Sequence, residues 1–377
     1  MILLLAAALT IPFEAHGRHL YLRATIGGET ASLLLDTGSS VTALDSAWAQ
    51  KHGIHPDDAK DGHAVGGGSA RVPVKLAHAA AIALEGGVVL RDQPVALIPF
   101  DAVRAATGRD VRGTLGYDFF ERYVVEIDRE SHRLILHDPG RWRYAGKRAV
   151  IPVALDLRVP IVQATLVPRG GEKLQARLIL DLGTGGLPLI LATRFATAHD
   201  FPGPAVETAL GSGVGGLSLG KVVRLDRAEV GSLLVKGPLA GLGRETKGFL
   251  GSGLADGTIG APVFERGRTF VDYPHKQVIF EPGPSFDARF ALDDRAGVVL
   301  AFDGGRAMVR YVVANGPAAS AGVRENDELV KLDGTPVQNR PMDELRHALS
   351  ADGTHELSLR RAGTTLAVSI IPRDLLP

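Results

Sequence analysis

The chain carries a duplicated pattern, and this constrains its fold more than any other feature. Three apolar residues run into an aspartate in Leu33-Leu34-Leu35-Asp36-Thr37-Gly38-Ser39-Ser40. The same happens in Leu178-Ile179-Leu180-Asp181-Leu182-Gly183-Thr184-Gly185. Gly116, in Thr114-Leu115-Gly116, follows Asp36 by 80 residues, and Gly260, in Thr258-Ile259-Gly260, follows Asp181 by 79. Asp128 stands 12 residues beyond Gly116, and Asp272 stands 12 beyond Gly260. Each copy then ends in a short apolar run, Leu134-Ile135-Leu136 or Val278-Ile279-Phe280. Landmarks kept in order at nearly equal spacing mark a repeated structural unit. The copies occupy residues 11–140 and 141–285, with 1–10 ahead of them and 286–377 behind.

Between the landmarks the chain reads as short strands broken by Gly and Pro. HLYLRATIGGETASLLLD, with a Gly27-Gly28 hairpin turn, is an example. The abundance of glycine (46) and proline (22) suits strands and tight turns better than long helices. One short helix per copy is expected, in LDSAWAQKHGI and in LATRFATAHDF. Residues 286 onward do not repeat, and Pro282-Gly283-Pro284 marks the boundary. There a short helix is expected at 317–321 and a clearer one at 342–350, apolar at 342, 345, 348 and 349. The strands HELSLRR and TTLAVSII close the chain. The expected fold is mainly β: two pseudo-twofold-related β lobes, then a small α+β domain.

The absence of cysteine excludes disulfides, thiol catalysis and thiolate metal sites. A formal net charge of zero offers no electrostatic case for nucleic acid or an anionic membrane, and Arg141-Trp142-Arg143 reads as solvated surface. MILLLAAALT resembles the apolar part of an export signal without its basic start. It is too short to span a bilayer. Residues 1–10 are therefore read as the remnant of a signal, with a first β-strand as the alternative.

A carboxylate at the edge of apolar packing is costly unless paired, hydrogen-bonded or protonated. Two Asp-x-Gly turns on two copies of one fold can meet at a pseudo-twofold interface. Two carboxylates a hydrogen bond apart share one proton and titrate as a unit. A water between them loses a proton to the ionised carboxylate while the acid form hydrogen-bonds a substrate carbonyl. Gly38 and Gly183 let each turn pass close to the opposite carboxylate. Ser39 and Thr184 are placed to hydrogen-bond the outer carboxylate oxygens.

Apolar-Asp36-Thr37-Gly38-Ser39 with Thr114-Leu115-Gly116 resembles a lobe of the aspartic peptidases. Two such lobes in one chain resemble a bilobal, retropepsin-like peptidase of bacterial type. The C-terminal region resembles a bacterial PDZ domain, through VVANGPAASAGVRENDELVKLDGTPV and the MDELRHAL helix. The resemblance implies an aspartic endopeptidase of the periplasm or envelope. Its catalytic pair would be Asp36 and Asp181, acting on a polypeptide without metal or organic cofactor, and as a monomer, since both lobes are present. It also implies a Gly-rich flap over the cleft at 62–74, including Val65, Gly66, Gly67 and Gly68, with 211–220 as its lobe-two counterpart. In the PDZ domain it implies capture of a peptide C-terminus at Gly297, Val298, Val299 and Leu300. One position departs from the family pattern. Leu182 replaces the hydroxyl residue that braces the opposite lobe, so only Thr37 can brace across the interface. That departure keeps a second reading open, a catalytically inactive bilobal scaffold that binds peptides.

Other signals carry less. Gly211-Ser212-Gly213-Val214-Gly215-Gly216 lacks the strand–loop–helix setting of a nucleotide-binding loop. His52, His55 and His63 sit in a loose, polar setting that suits solvent better than a metal. Asp128 and Asp272 read as structural residues of a turn or strand end.

Overall fold

The computed structural model describes residues 9–57, 62–64, 66–146, 148–338 and 340–376. It is mainly β and is built from four sheets. An eight-stranded sheet forms lobe one and a nine-stranded sheet forms lobe two. Both lobes contribute to a six-stranded sheet beneath them, in which Val124–Asp128 pairs antiparallel with Gly267–Asp272. Ile127 faces Thr269 and Val125 faces Val271, so the pseudo-twofold axis passes between two strands that carry equivalent landmarks. Leu9–Pro12 and Ala149–Pro152 occupy equivalent outer positions of this sheet. Leu9 and Thr10 are thus already in a strand, and the earlier residues assigned to a signal remnant lie outside the described ones.

The spacing of the repeat has a structural cause. Glu29–Leu35 runs parallel to Val111–Leu115, and Asp36 N donates to Leu115 O at 3.0 Å. In lobe two, Leu174–Asp181 runs parallel to Gly257–Gly260 in the same way. A Cβ on Gly116 would sit 2.6 Å from Val41 O, and one on Gly260 would sit 2.6 Å from Thr184 O. The second landmark is therefore glycine in both lobes because a backbone passes over it. The Gly27-Gly28 turn joins paired strands, with both glycines left-handed at φ 58° and 84°.

The expected helices form at Ser46–Lys51 and Thr193–Ala198. Asp45 caps the first by accepting from Trp48 N at 2.9 Å. Asp128 and Asp272 hold their turns together: Asp128 accepts from Glu130 N at 3.1 Å, and Asp272 accepts from His275 N at 3.3 Å and from Gln277 at 2.7 Å; Asp128 also accepts from Arg268 of the other lobe at 3.0 Å. The last domain is a six-stranded sheet with helices at Pro317–Ser320 and Met342–Ser350. Met342, Leu345 and Leu349 bury one face of the longer helix in its own core. Among the described residues no helix is long and apolar enough to cross a membrane.

Candidate active site

Both aspartates arrive at the end of a buried apolar strand, and their turns face each other across the lobe interface. A Cβ on Gly38 would lie 2.7 Å from Asp181 Cγ, and one on Gly183 would lie 2.7 Å from Asp36 Cγ. Each turn glycine thus packs directly on the carboxylate of the other lobe. Any side chain there would push the pair apart. Both carboxylates also accept from their own turns, Asp36 from Gly38 N at 2.9 Å and Asp181 from Gly183 N at 2.8 Å.

The two sides are not equivalent beyond that. Asp181 accepts two more hydrogen bonds, from Thr184 Oγ1 at 2.6 Å and Thr184 N at 3.2 Å. Ser39 does not mirror Thr184. Its hydroxyl donates to Val41 O at 2.8 Å, because the lobe-one turn brings that carbonyl within reach two residues on. Burial, the Asp181 charge and a hydrogen bond to Asp181 together raise the pKa of Asp36 well above the ordinary carboxylate value. Thr184 thus gives Asp181 donors that the Asp36 turn does not match.

Thr37 braces the pair. It is fully buried and donates to Leu180 O at 2.8 Å, while accepting from Leu182 N at 2.9 Å. Leu182 offers no hydroxyl in return, and its side chain packs into the core. Tyr273 approaches from lobe two instead, donating to Thr37 O at 3.1 Å. The sequence reading passed over Tyr273, although it directly follows the Asp272 landmark. It also passed over His19, whose ring nitrogen meets Gly183 O at 3.1 Å and whose pKa burial lowers.

The two glycine-rich hairpins meet each other. Gly62–Ala64 pairs with Val72–Val74 in lobe one, and Ala205–Gly213 pairs with Gly216–Val230 in lobe two. Their tips are bonded to each other: Gly215 N donates to Gly67 O at 2.8 Å and Ala70 N to Gly215 O at 3.0 Å. Gly68, left-handed at φ 91°, donates to Ser218 Oγ at 3.1 Å, and Phe249 N donates to Gly66 O at 3.0 Å. A flap at 62–74 was expected, with 211–220 as its lobe-two counterpart; the tips of the two hairpins are hydrogen-bonded to each other. Val65 lies outside the described residues.

In the C-terminal domain, Gly297 N and Val298 N donate to Asp294 Oδ1 at 2.7 and 3.1 Å. Two of the four amides expected to meet a peptide carboxylate are thus taken by a carboxylate three residues upstream, a local turn that any Asp at that spacing can form. Among the described residues no cluster of His, Asp and Glu is placed to hold a metal ion.

Residues 22–119 match the family model described as aspartyl protease, and residues 308–361 match that of the PDZ domain. No curated relative matches the chain. The first match spans the Asp36 turn and Thr114-Leu115-Gly116, and lobe two repeats that architecture by its own geometry. The chain therefore joins an aspartyl protease domain of retropepsin-like type, at its N-terminal end, to a C-terminal PDZ domain.

Proposed function

We propose that the chain is an aspartic endopeptidase in which Asp36 and Asp181 activate one water. The observation that carries this reading is the reciprocal packing of Gly38 on Asp181 and of Gly183 on Asp36. It supports two carboxylates sharing a proton at the floor of a cleft. Asp181, the better solvated by donors, takes a proton from the water as it attacks the peptide carbonyl. Asp36, holding the shared proton, hydrogen-bonds the carbonyl oxygen and hands the proton on as the tetrahedral intermediate forms. An extended polypeptide lies between the lobes under the joined glycine hairpins, which must part to admit it. Both carboxylates come from one chain, so a monomer suffices.

The PDZ domain takes a peptide or protein C-terminus and so recruits or regulates. Export to the periplasm or envelope fits the apolar start of the chain. One observation favours a second reading, a peptide-binding scaffold without activity: Leu182 leaves the cross-lobe brace one-sided.

Cleavage of a diverse peptide library between pH 3 and 8 by wild type, Asp36→Asn and Asp181→Asn tests the proposal. Cleavage by the wild type alone supports it. Cleavage by Asp181→Asn at the wild-type rate overturns the pair. Binding of peptides without cleavage at any pH favours the scaffold.

A further inference from the structure

The peptide-binding face of the PDZ domain is turned toward lobe one. Val298–Asp303 is the edge strand of its sheet, and a peptide added to that edge would lie beside helix Met342–Ser350. Residues 106–109, at the C-terminal end of the lobe-one helix Asp101–Thr107, already reach both walls of that space. A Cβ on Gly108 would lie 2.7 Å from Phe302 Cε2 on the edge strand and 3.1 Å from Met342 N on the helix. Arg346, one turn further along the helix, donates to Ala106 O at 3.0 Å. Arg109 donates to both carboxylate oxygens of Asp343, at 3.0 and 3.2 Å. At the other end of the groove Asp294 occupies the first amides of the carboxylate loop. A cavity of about 700 Å³ remains beside the segment, between Arg104 and Arg109 of lobe one and Phe302 and Arg310 of the PDZ domain.

The domain is held differently on the other side. Phe290 and Leu292 ahead of its first strand, and Leu376 after its last strand, are buried with the core of the lobes. Arg224 of lobe two donates to Phe290 O at 2.8 Å and to Leu376 O at 3.3 Å. The attachment to lobe two thus joins apolar burial to hydrogen bonds and is covalently adjacent. The attachment to lobe one is made by groove residues, through hydrogen bonds from Arg346 and Arg109 and the close approach of Gly108 to Phe302.

We propose that the PDZ groove is closed in cis by residues 106–109, so that lobe one and an extended peptide with a free C-terminal carboxylate compete for the same walls. A peptide seated between Phe302 and Met342 displaces Gly108, and the domain leaves lobe one while staying attached to lobe two. The Asp101–Thr107 helix also packs against Ala205–Gly213, the strand that leads to the lobe-two hairpin tip. Release of the groove therefore removes a support from an element of the joined hairpins. Docking and peptide binding weaken each other by the same factor. The inference rests on the peptide-binding reading of the PDZ domain and not on peptide cleavage.

The test measures binding of fluorescent peptides, varied at their last residues, to the full chain carrying Asp36→Asn so that none is cut. Each peptide is made with a free carboxylate and as an amide. Arg109→Asp breaks the docking contact, and Arg109→Asp combined with Asp343→Arg restores it with reversed charge. Free-carboxylate peptides should bind the single variant about ten-fold more tightly than the parent, within the usual range of coupling between sites. The paired variant should return to the parent value, and amides should bind weakly throughout. Gly108→Leu, which drives a side chain into Phe302, should shift affinity in the same direction as Arg109→Asp. Equal affinity across all these chains overturns the competition while leaving the peptide reading intact. Absence of binding in every chain overturns both.

Discussion

The Thr37 hydroxyl joins the two lobes at Leu182, accepting from its backbone N–H at 2.9 Å while donating to Leu180 O at 2.8 Å. One side chain satisfies two backbone groups on either side of Asp181. The register of the lobe-two turn, and with it the position of Asp181, depends on a residue of lobe one.

Thr37→Val keeps the shape and removes the hydroxyl, leaving both groups buried without that partner. Each unmet group costs about 1–3 kcal/mol, so a loss of roughly 2–6 kcal/mol is expected in urea unfolding. Peptide cleavage should fall with it. Thr37→Ser, which retains the hydroxyl, should stay close to wild type in both measurements. An unfolding midpoint for Thr37→Val equal to that of Thr37→Ser would show that the brace contributes nothing.

Gly38→Ala and Gly183→Ala probe the pair without touching a carboxylate. The new Cβ would stand 2.7 Å from the opposite Cγ in either case, closer than such atoms ever approach. The lobes must separate or the carboxylate must turn away. Cleavage should drop by more than about a hundred-fold, since loss of alignment by an ångström alone costs about that much. Circular dichroism should remain that of a folded β protein. A Gly183→Ala chain with normal kcat would place the reacting carboxylates elsewhere.

The pH dependence follows from Asp36. Its folded pKa is raised by burial and by Asp181, above the ordinary value of an unfolded aspartate. Below about pH 4 both states hold the proton, and the stability tied to it is fully present. As pH rises, the unfolded chain releases the proton first, so stability is lost until the folded pKa is passed. Asp36→Asn removes this titration. Its melting temperature should therefore gain on wild type as pH rises above about 4. Activity should require the singly protonated pair, with a basic limb lying above the ordinary aspartate range. Parallel melting curves of the two chains from pH 3 to 8 would contradict the raised pKa.

The parts of this architecture that a linear reading could find are those in which one residue type answers one local demand. Gly116 and Gly260 are glycine because a carbonyl lies over each of them, so their spacing from Asp36 and Asp181 records a strand pairing. Glycine hairpins and the apolar runs before each aspartate are equally local. Ser39 does not meet the carboxylate because its hydroxyl donates to Val41 O two residues on, a contact set by how the turn folds back. Arg109 and Gly108 look like an ordinary loop. Their partners Asp343 and Phe302 lie in another domain, and no periodicity links them. Tyr273 carried no signal of its own, because its value comes from the carbonyl that it meets in the opposite lobe.

Tyr273 offers the sharpest check on whether the missing hydroxyl at Leu182 is compensated. Its hydroxyl donates to Thr37 O at 3.1 Å, and its ring stacks on Tyr117 with centroids 5.8 Å apart. Burial, reinforced by the charges of Asp36 and Asp181, keeps it protonated well beyond the ordinary tyrosine range, so it remains a donor at every working pH. Tyr273→Phe retains the ring and removes the donor, at an expected cost of about 1 kcal/mol. If the donor positions the Asp36 turn, kcat should fall several-fold while KM stays constant. Leu182→Thr restores the hydroxyl on the lobe-two side. Combined with Tyr273→Phe it should recover part of the lost kcat, whereas alone it should add little to a turn that is already held. Equal losses from Tyr273→Phe with and without Leu182→Thr would mean that the two positions do not substitute for one another.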